Sequence, residues 1–220
     1  MNIWQLSMGI FVSGTLAIWF GYRQPEGGFY LFKPLTLLLI ILIPVLGGVS
    51  FTPLTGLILA GLLFSLLGDI FLMLPSDPFL AGLVAFLIAH LCYGAGFLID
   101  QGEVVFWPTL PLFSLVGVIG WLLKGGMGKM KTPGMIYMGV ITIMVWLSWS
   151  RWINGGELDH LLAFCGAVSF MLSDLLLAVN RFKVSFKAAR GLNLAAYYAG
   201  QCLIALSLID LEGGGLLPGF

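Results

Sequence analysis

Charged side chains are scarce in this 220-residue chain, where lysine, arginine, aspartate and glutamate together make up 9% of the residues and apolar residues make up 60%. Typical soluble domains hold about 25% charged and about 45–50% apolar residues. A water-soluble fold of this length needs a charged surface, which so few charged residues cannot cover. The composition therefore excludes a soluble globular protein and predicts an integral membrane protein.

The sequence also lacks the features of several binding and catalytic classes. Its formal net charge is zero, which gives no basic field for nucleic acid. Three cysteines, Cys92, Cys165 and Cys202, all lie inside apolar runs, and with only two histidines there is no histidine-rich metal site. There is no phosphate-binding glycine-rich loop, no His-Glu-x-x-His, no Cys-x-x-Cys and no Gly-x-Ser-x-Gly. We therefore predict no metal, no cofactor and no nucleic-acid partner.

Apolar stretches dominate what is present, and each is close to the roughly 20 residues that a helix needs to cross a bilayer. Backbone groups in lipid must be satisfied within the segment, which favours helices. We predict an all-α, polytopic membrane protein with a single transmembrane domain over residues 1–220 and eight transmembrane helices. They are predicted at 3–22, 33–50, 53–74, 78–99, 104–123, 133–150, 159–180 and 189–209. No charged residue precedes the first stretch, so we expect a retained helix rather than a signal peptide.

Basic residues are concentrated in alternate connections between these stretches. The odd-numbered connections carry Arg23, Lys33, Lys124, Lys129, Lys131, Arg181, Lys183, Lys187 and Arg190, and the other side carries Arg151. Basic connections face the cytoplasm in membrane proteins. We therefore predict cytoplasmic odd-numbered connections, both termini outside, and residence in a bacterial inner membrane.

The two halves of the chain share a short pattern. Residues 61–69 and 166–174 each run from a glycine to an aspartate eight positions later, and the shift of 105 residues also relates Tyr93 to Tyr198. This spacing favours two parallel repeats of four helices. Chance resemblance between apolar helices explains the pattern about equally well.

Two acidic residues, Asp69 and Asp174, lie well inside predicted helices three and seven. A carboxylate near mid-bilayer costs roughly 2.5–3.5 kcal/mol on insertion scales, so intramembrane acids are candidate site residues. Both lie at a similar depth below the cytoplasmic helix ends, and we predict that they share a water-accessible cavity as a catalytic pair. Alternatively, each aspartate holds its neighbouring helices together by hydrogen bonds.

Polar residues in predicted helices four and eight are the candidates for supporting roles. His90 and Tyr93 share one face of helix four, and Asn193, Tyr197 and Gln201 line one face of helix eight. We predict that they orient the aspartates or the substrate. Hydrogen bonding between helices accounts for such stripes nearly as well.

Two basic residues near the cytoplasmic side are candidates for binding a lipid phosphate. Lys33 is predicted to begin helix two, with Pro34 in its first turn, and Arg181 follows helix seven. The alternative for Lys33 is an ammonium that snorkels to the membrane interface without a ligand.

Several short motifs occur in a defined order between Lys33 and about Gln201. They are Lys33-Pro34-Leu35, Leu67-Gly68-Asp69, the segment from Gly82 through His90 to Tyr93, Ser173-Asp174 followed by Asn180-Arg181-Phe182, and Tyr197-Tyr198. Together they resemble the YhhN-like family, which includes the animal transmembrane lysoplasmalogenases. The resemblance spans most of the chain and is consistent with eight helices.

The resemblance implies an ether hydrolase. Family members with an assigned activity cleave the vinyl ether bond of lysoplasmalogens to a fatty aldehyde and glycerophosphoethanolamine or glycerophosphocholine, and the family's acidic pair maps onto Asp69 and Asp174. A vinyl ether opens when its β-carbon is protonated, and water then captures the oxocarbenium ion. Two carboxyl groups suit that chemistry, as they suit glycoside hydrolysis. The implied partners are a lysophospholipid, water and membrane lipid.

Two other functions use paired aspartates inside a membrane. An intramembrane aspartyl protease carries Gly-x-Gly-Asp, whereas this chain has Leu66-Leu67-Gly68-Asp69. A proton-coupled transporter or lipid flippase would titrate the aspartates during alternating access, and an internal duplication is common in transporters. A transporter moves its substrate unchanged, whereas a hydrolase releases aldehyde.

Overall fold

The chain folds into a bundle of helices. The structure, a computed structural model, describes residues 3–23 and 27–209. Within these ranges it contains only helices, turns and loops: one 3₁₀ turn at Gly128–Met130 and eight α-helices. The helices are α1 (Ile3–Phe20), α2 (Gly27–Leu46), α3 (Pro53–Met73), α4 (Phe79–Ile99), α5 (Thr109–Leu123), α6 (Lys131–Gly155), α7 (Leu158–Phe182) and α8 (Ala189–Leu206).

Five of these helices, α2, α3, α4, α6 and α7, are long and apolar enough to cross a membrane. The described parts of α1 and α5 are apolar but shorter, and α8 contains Arg190, Asn193 and Gln201, which lower its hydropathy. The all-α membrane fold is thus supported, and the count of eight spans stays a prediction. Residues 1–2 and 210–220, the chain ends that we predict to lie outside, fall outside the described ranges.

Helix α2 begins six residues earlier than predicted, at Gly27 instead of residue 33. The two glycines at its start allow a close approach to α1, because a side chain at Gly28 would lie 2.4 Å from the ring of Phe20. Lys33 and Pro34 therefore lie inside α2 instead of in its first turn. Six residues correspond to about 9 Å along a helix, so Lys33 sits deeper than the sequence predicted.

Helix α5 begins later than predicted, at Thr109 instead of residue 104. The preceding segment bonds to α6: the indole of Trp146 donates to the carbonyl of Val105 at 2.6 Å, and the Val105 amide donates to Ser150 Oγ at 3.2 Å. These bonds satisfy the backbone outside a helix and leave α5 with 15 residues.

Six helices form a ring in the order α2, α3, α4, α6, α7 and α8, with α8 returning to α2. Helix α1 packs on the outside against α2 and α8, and α5 packs on the outside against α6 and more lightly against α7. The order of contacts is the same in the two halves, since α3 packs on α4 as α7 packs on α8. The duplication itself stays a prediction.

Glycine permits a close helix crossing between α7 and α8. A side chain at Gly166 would lie 2.9 Å from the carbonyl oxygen of Gly200 and 3.0 Å from the amide nitrogen of Ile204. Both neighbours are backbone atoms, which cannot rotate away. Small residues at helix interfaces in membranes allow this close approach.

We expect Gly166→Ala to lower the free energy of unfolding by about 1–3 kcal/mol, because the added methyl group overpacks the crossing. Gly139→Ala on α6 is the matched control, since nothing lies within 4 Å of a side chain built there. Thermal unfolding of the purified variants in detergent measures the difference. Equal melting temperatures for the two variants would show that the α7–α8 crossing tolerates a wider separation.

Candidate active site

Asp69 is buried, and one residue from each of two other helices binds its carboxyl group. Its Oδ1 lies 3.0 Å from the ammonium of Lys33 on α2, and its Oδ2 accepts a 2.8 Å hydrogen bond from the Tyr197 hydroxyl on α8. The Asp69 side chain is 2% exposed and that of Lys33 is 8% exposed. Asp69 is thus held as the partner of a buried cation.

The position of Lys33 corrects its predicted placement at the membrane interface. Because α2 begins at Gly27, the lysine lies nearly two turns inside the helix, at the level of Asp69 on α3. Its ammonium also lies 3.5 Å from the backbone carbonyl oxygen of Asp69. In this arrangement Lys33 binds the aspartate and does not present a free ammonium to a lipid phosphate.

Asp174 on α7 has different partners. The Tyr137 hydroxyl on α6 donates to its Oδ2, and His90 Nε2 on α4 lies 3.6 Å from the same oxygen. No lysine or arginine pairs with Asp174 in the described part of the chain. Both neighbours contact Oδ2, and no contact to Oδ1 is found in the described residues.

The two aspartates occupy equivalent places in the two halves of the ring. Asp69 on α3 is contacted from α2 and α8, and Asp174 on α7 is contacted from α6 and α4. The partners differ in chemistry, because a lysine and a tyrosine hold Asp69, whereas a tyrosine and a histidine approach Asp174. The same framework thus surrounds one carboxylate with a cation and leaves the other without one.

Phe170 packs against one neighbour of each carboxyl group. The ring of Phe170 lies 5.3 Å from that of Tyr197, which binds Asp69, and 4.6 Å from that of His90, which approaches Asp174. Phe170 is fully buried.

An apolar cavity of about 250 Å³ reaches one aspartate and not the other. Its wall includes Asp174 and Tyr137 among mostly apolar side chains of α3 to α7, but it does not include Asp69. Asp174 lines this cavity and Asp69 does not, so the cavity shared by both carboxyls stays a prediction.

The remaining predicted supporting residues connect helices. Asn193 donates to the carbonyl and hydroxyl oxygens of Ser173, both at 2.8 Å, next to Asp174. The Tyr93 hydroxyl donates to Gln201 Oε1 at 2.7 Å. The predicted stripe on α8 thus bonds to α7 through Asn193, to α3 through Tyr197 and to α4 through Gln201.

Arg181 lies at the end of α7, where it pairs with Asp77 at 2.6 Å and its guanidinium lies 3.9 Å from the ring centre of Phe79. Phe79 and Phe182 line the end of the apolar cavity. Arg181 is therefore close to the end of the cavity that contains Asp174.

Sequence reasoning missed Tyr137, the residue that hydrogen-bonds Asp174. A hydroxyl in the middle of an otherwise apolar stretch of α6 was the available signal. It also missed the Lys33–Asp69 ion pair, because the predicted start of helix two put the lysine at the interface.

A second cavity of about 900 Å³ lies at the opposite end of the bundle. The buried Arg151 side chain lies in its wall and pairs with Asp100 at 2.6 Å and Asp159 at 3.0 Å. One group of potential metal ligands occurs in the described residues, Glu157, Asp159 and His160 in this same wall. Because Arg151 already neutralises Asp159, this group is poorly suited to a cation.

Comparisons with known proteins agree on the family. The chain is 32% identical over 209 residues to the uncharacterized membrane protein YhhN of Escherichia coli O157:H7, covering 91% of this chain and 97% of the relative. It is 28% identical over 201 residues to human lysoplasmalogenase TMEM86A, covering 88% of this chain and 83% of the relative. It is 32% identical over 200 residues to mouse lysoplasmalogenase TMEM86B, covering 89% of this chain and 82% of the relative.

No solved structure matches the chain. The family model described as the YhhN family matches residues 28–208, which include every residue of the candidate active site. The relatives are named as membrane proteins or as lysoplasmalogenases. An integral membrane location follows, and the chain belongs to the YhhN family.

Proposed function

We propose that this protein is an intramembrane hydrolase that cleaves the vinyl ether bond of lysoplasmalogens, releasing a fatty aldehyde and glycerophosphoethanolamine or glycerophosphocholine. The observation that carries the proposal is the carboxyl group of Asp174 in the wall of an apolar cavity among membrane helices, with no lysine or arginine paired to it in the described ranges. The names of the TMEM86A and TMEM86B relatives support the same activity.

Asp174 is the acid of the proposed reaction. Burying an unpaired charge among apolar groups is costly, so such a carboxyl group favours its neutral form. Its proton passes to the β-carbon of the vinyl ether, the carbon–carbon double bond is consumed, and an oxocarbenium ion forms. The Asp174 carboxylate then takes a proton from the attacking water, and the hemiacetal collapses to aldehyde and alcohol. The acid is restored at the end of the cycle.

The neighbours of Asp174 are assigned to positioning. The Tyr137 hydroxyl and His90 both contact Oδ2, which leaves Oδ1 to deliver the proton. Tyr137 also lines the cavity, where its hydroxyl stabilises the carboxylate formed after proton transfer. Asn193 holds α8 to α7 beside Ser173 and so fixes the backbone next to the acid.

We assign Asp69 a positioning role instead of the catalytic role expected from sequence. Its ion pair with Lys33 and its hydrogen bond from Tyr197 join α3 to α2 and α8, and Tyr197 packs against Phe170. Phe170 in turn packs against His90, which faces Asp174. Asp69 therefore acts on the acid through packed side chains, as do Tyr93 and Gln201 one turn away.

The lipid headgroup is assigned to the end of the cavity near Arg181. The guanidinium is partly exposed and stacks on Phe79, whose ring also lines the cavity. Arginine matches phosphate geometry well. If the basic connections lie in the cytoplasm, as the charge distribution predicts, the end of the cavity near Arg181 faces the inner leaflet and both termini lie outside.

A saturated-ether analogue tests the proposed reaction directly. Purified protein in detergent should release aldehyde from lysoplasmalogen and none from the 1-O-alkyl lysolipid of equal chain length, because only the vinyl ether has a carbon that accepts a proton readily. Aldehyde and glycerophospholipid are measured together and should appear in equal amounts. Absence of aldehyde from a folded, lipid-supplemented preparation would reject the proposal.

A proton-coupled transporter or lipid flippase is the second candidate. The equivalent placement of Asp69 and Asp174 in the two halves of the ring favours it, since transporters often use internal repeats. Reconstitution into vesicles distinguishes the two functions: a transporter moves an intact lipid or solute with a proton, whereas the hydrolase consumes the lipid in detergent as well.

A further inference from the structure

The apolar cavity beside Asp174 is open on one side at the surface of the bundle. Leu115 on α5 and Val168 and Leu172 on α7 all line the cavity. The same three side chains are 56%, 37% and 49% exposed. A residue that both lines a cavity and is exposed marks its opening, so the cavity opens between α5 and α7.

The packing of α5 accounts for this opening. Helix α5 packs mainly on α6 and only lightly on α7, and among its residues only Gly120 and Leu123, near one end, are buried. Leu115 lies midway along α5 and is 56% exposed, which leaves a gap beside α7. A gap walled by leucine and valine presents no group that binds water.

The opening lies at the depth of the bilayer core if α7 crosses the membrane. Val168 and Leu172 precede Asp174 by six and two residues, which correspond to about 9 Å and about 3 Å along a helix. The cavity continues past Asp174 to Phe182 at the end of α7. Lipid chains surround this level of a membrane protein, and a chain that enters there reaches the carboxyl group directly.

We propose that the cavity binds one hydrocarbon chain of a single-chain lipid, which enters sideways from the bilayer between α5 and α7 and brings its first carbons to Asp174. The reaction at those carbons rests on the proposed function, but the binding does not. A volume of about 250 Å³ lies below the roughly 300–1,000 Å³ of most ligand pockets. It accommodates part of one chain and is too small for two chains side by side.

The residues at the opening then determine which lipids are bound. Of these three residues, Leu172 lies closest to Asp174 along α7, and Leu115 lines the same cavity from α5. A larger side chain at either position narrows the entrance without contacting the carboxyl group. The other cavity is unsuited to a chain, because charged Arg151, Asp100 and Asp159 stand in its wall.

The test uses a saturated-ether lysolipid with a photoreactive group in its chain, which the protein binds without cleaving. Irradiation of the full chain in lipid nanodiscs should attach the probe to peptides from 109–123 and 158–182. Excess unlabelled lysolipid should suppress the labelling by at least about tenfold, and a diacyl phospholipid should not. Labelling spread evenly over all lipid-facing helices, or insensitive to lysolipid, would overturn the proposal.

Leu172→Trp should reduce the competed labelling by about tenfold, which corresponds to about 1.4 kcal/mol of binding free energy. The matched control is Leu63→Trp on α3, because Leu63 is 53% exposed and lines neither cavity. Size-exclusion chromatography checks that both variants fold. Unchanged labelling in Leu172→Trp would place the entrance elsewhere.

The labelling and the hydrolysis assays separate the two proposals. Competed labelling of α5 and α7 without aldehyde release from lysoplasmalogen rejects the hydrolase and retains the chain-binding cavity. Aldehyde release without such labelling rejects the lateral entrance and retains the hydrolase.

Discussion

Asp174→Asn should lower the rate of aldehyde release by about 10²–10⁴-fold, the usual contribution of a general acid. Asparagine keeps an oxygen that accepts the Tyr137 hydroxyl, so the variant should fold, but its amide cannot deliver a proton to carbon. Turnover of lysoplasmalogen by purified protein is the measurement, with thermal unfolding as the check on folding.

The control for Asp174→Asn is Glu103→Gln, which removes an acid from an exposed loop, outside the helices that carry Asp69 and Asp174. This variant should retain the full rate. Retention of the full rate by Asp174→Asn would remove the acid from the mechanism and leave the cavity without a catalytic group.

Asp69→Asn should lower the free energy of unfolding by about 3–5 kcal/mol, because it leaves the buried ammonium of Lys33 without its partner. The double variant Lys33→Met with Asp69→Asn should recover most of that loss, since it removes both charges together. Unfolding of the two single variants and the double variant, measured in one detergent, gives the coupling energy of the pair.

The double variant also tests the positioning role of Asp69. We expect its kcat to fall by about 10–100-fold, the effect of a small displacement near a reacting centre. KM should change little, because Asp69 does not line the cavity. A folded double variant with an unchanged kcat would mean that the Lys33–Asp69 pair serves stability alone.

The sequence identified the two buried acids, but it did not show which groups surround each of them. Asp69 and Asp174 stood out because carboxylates inside apolar helices are costly. Both have polar or charged partners from other helices. The two aspartates have similar sequence surroundings but different partners in the structure, because Asp69 has a lysine beside it and Asp174 lines an apolar cavity. That difference is what divides the two proposed roles.

The largest error in the predicted helix ends changed the interpretation of Lys33. The predicted start at residue 33 leaves Gly27 and Gly28 outside helix two, whereas they begin α2 and allow Phe20 to pack against it. Glycine marks both turns and close helix contacts, and the local sequence does not distinguish the two. The error moved the lysine from the core to the interface.

By itself the sequence determined that the protein is helical and membrane-embedded, and that two acids lie within it, because hydropathy and helix length are properties of neighbouring residues. Only the tertiary structure decided which groups meet those acids. Lys33 reaches Asp69 across 36 positions, and Tyr137 reaches Asp174 across 37. Such contacts depend on how each helix is rotated against the next, and that rotation is set by packing over the whole bundle.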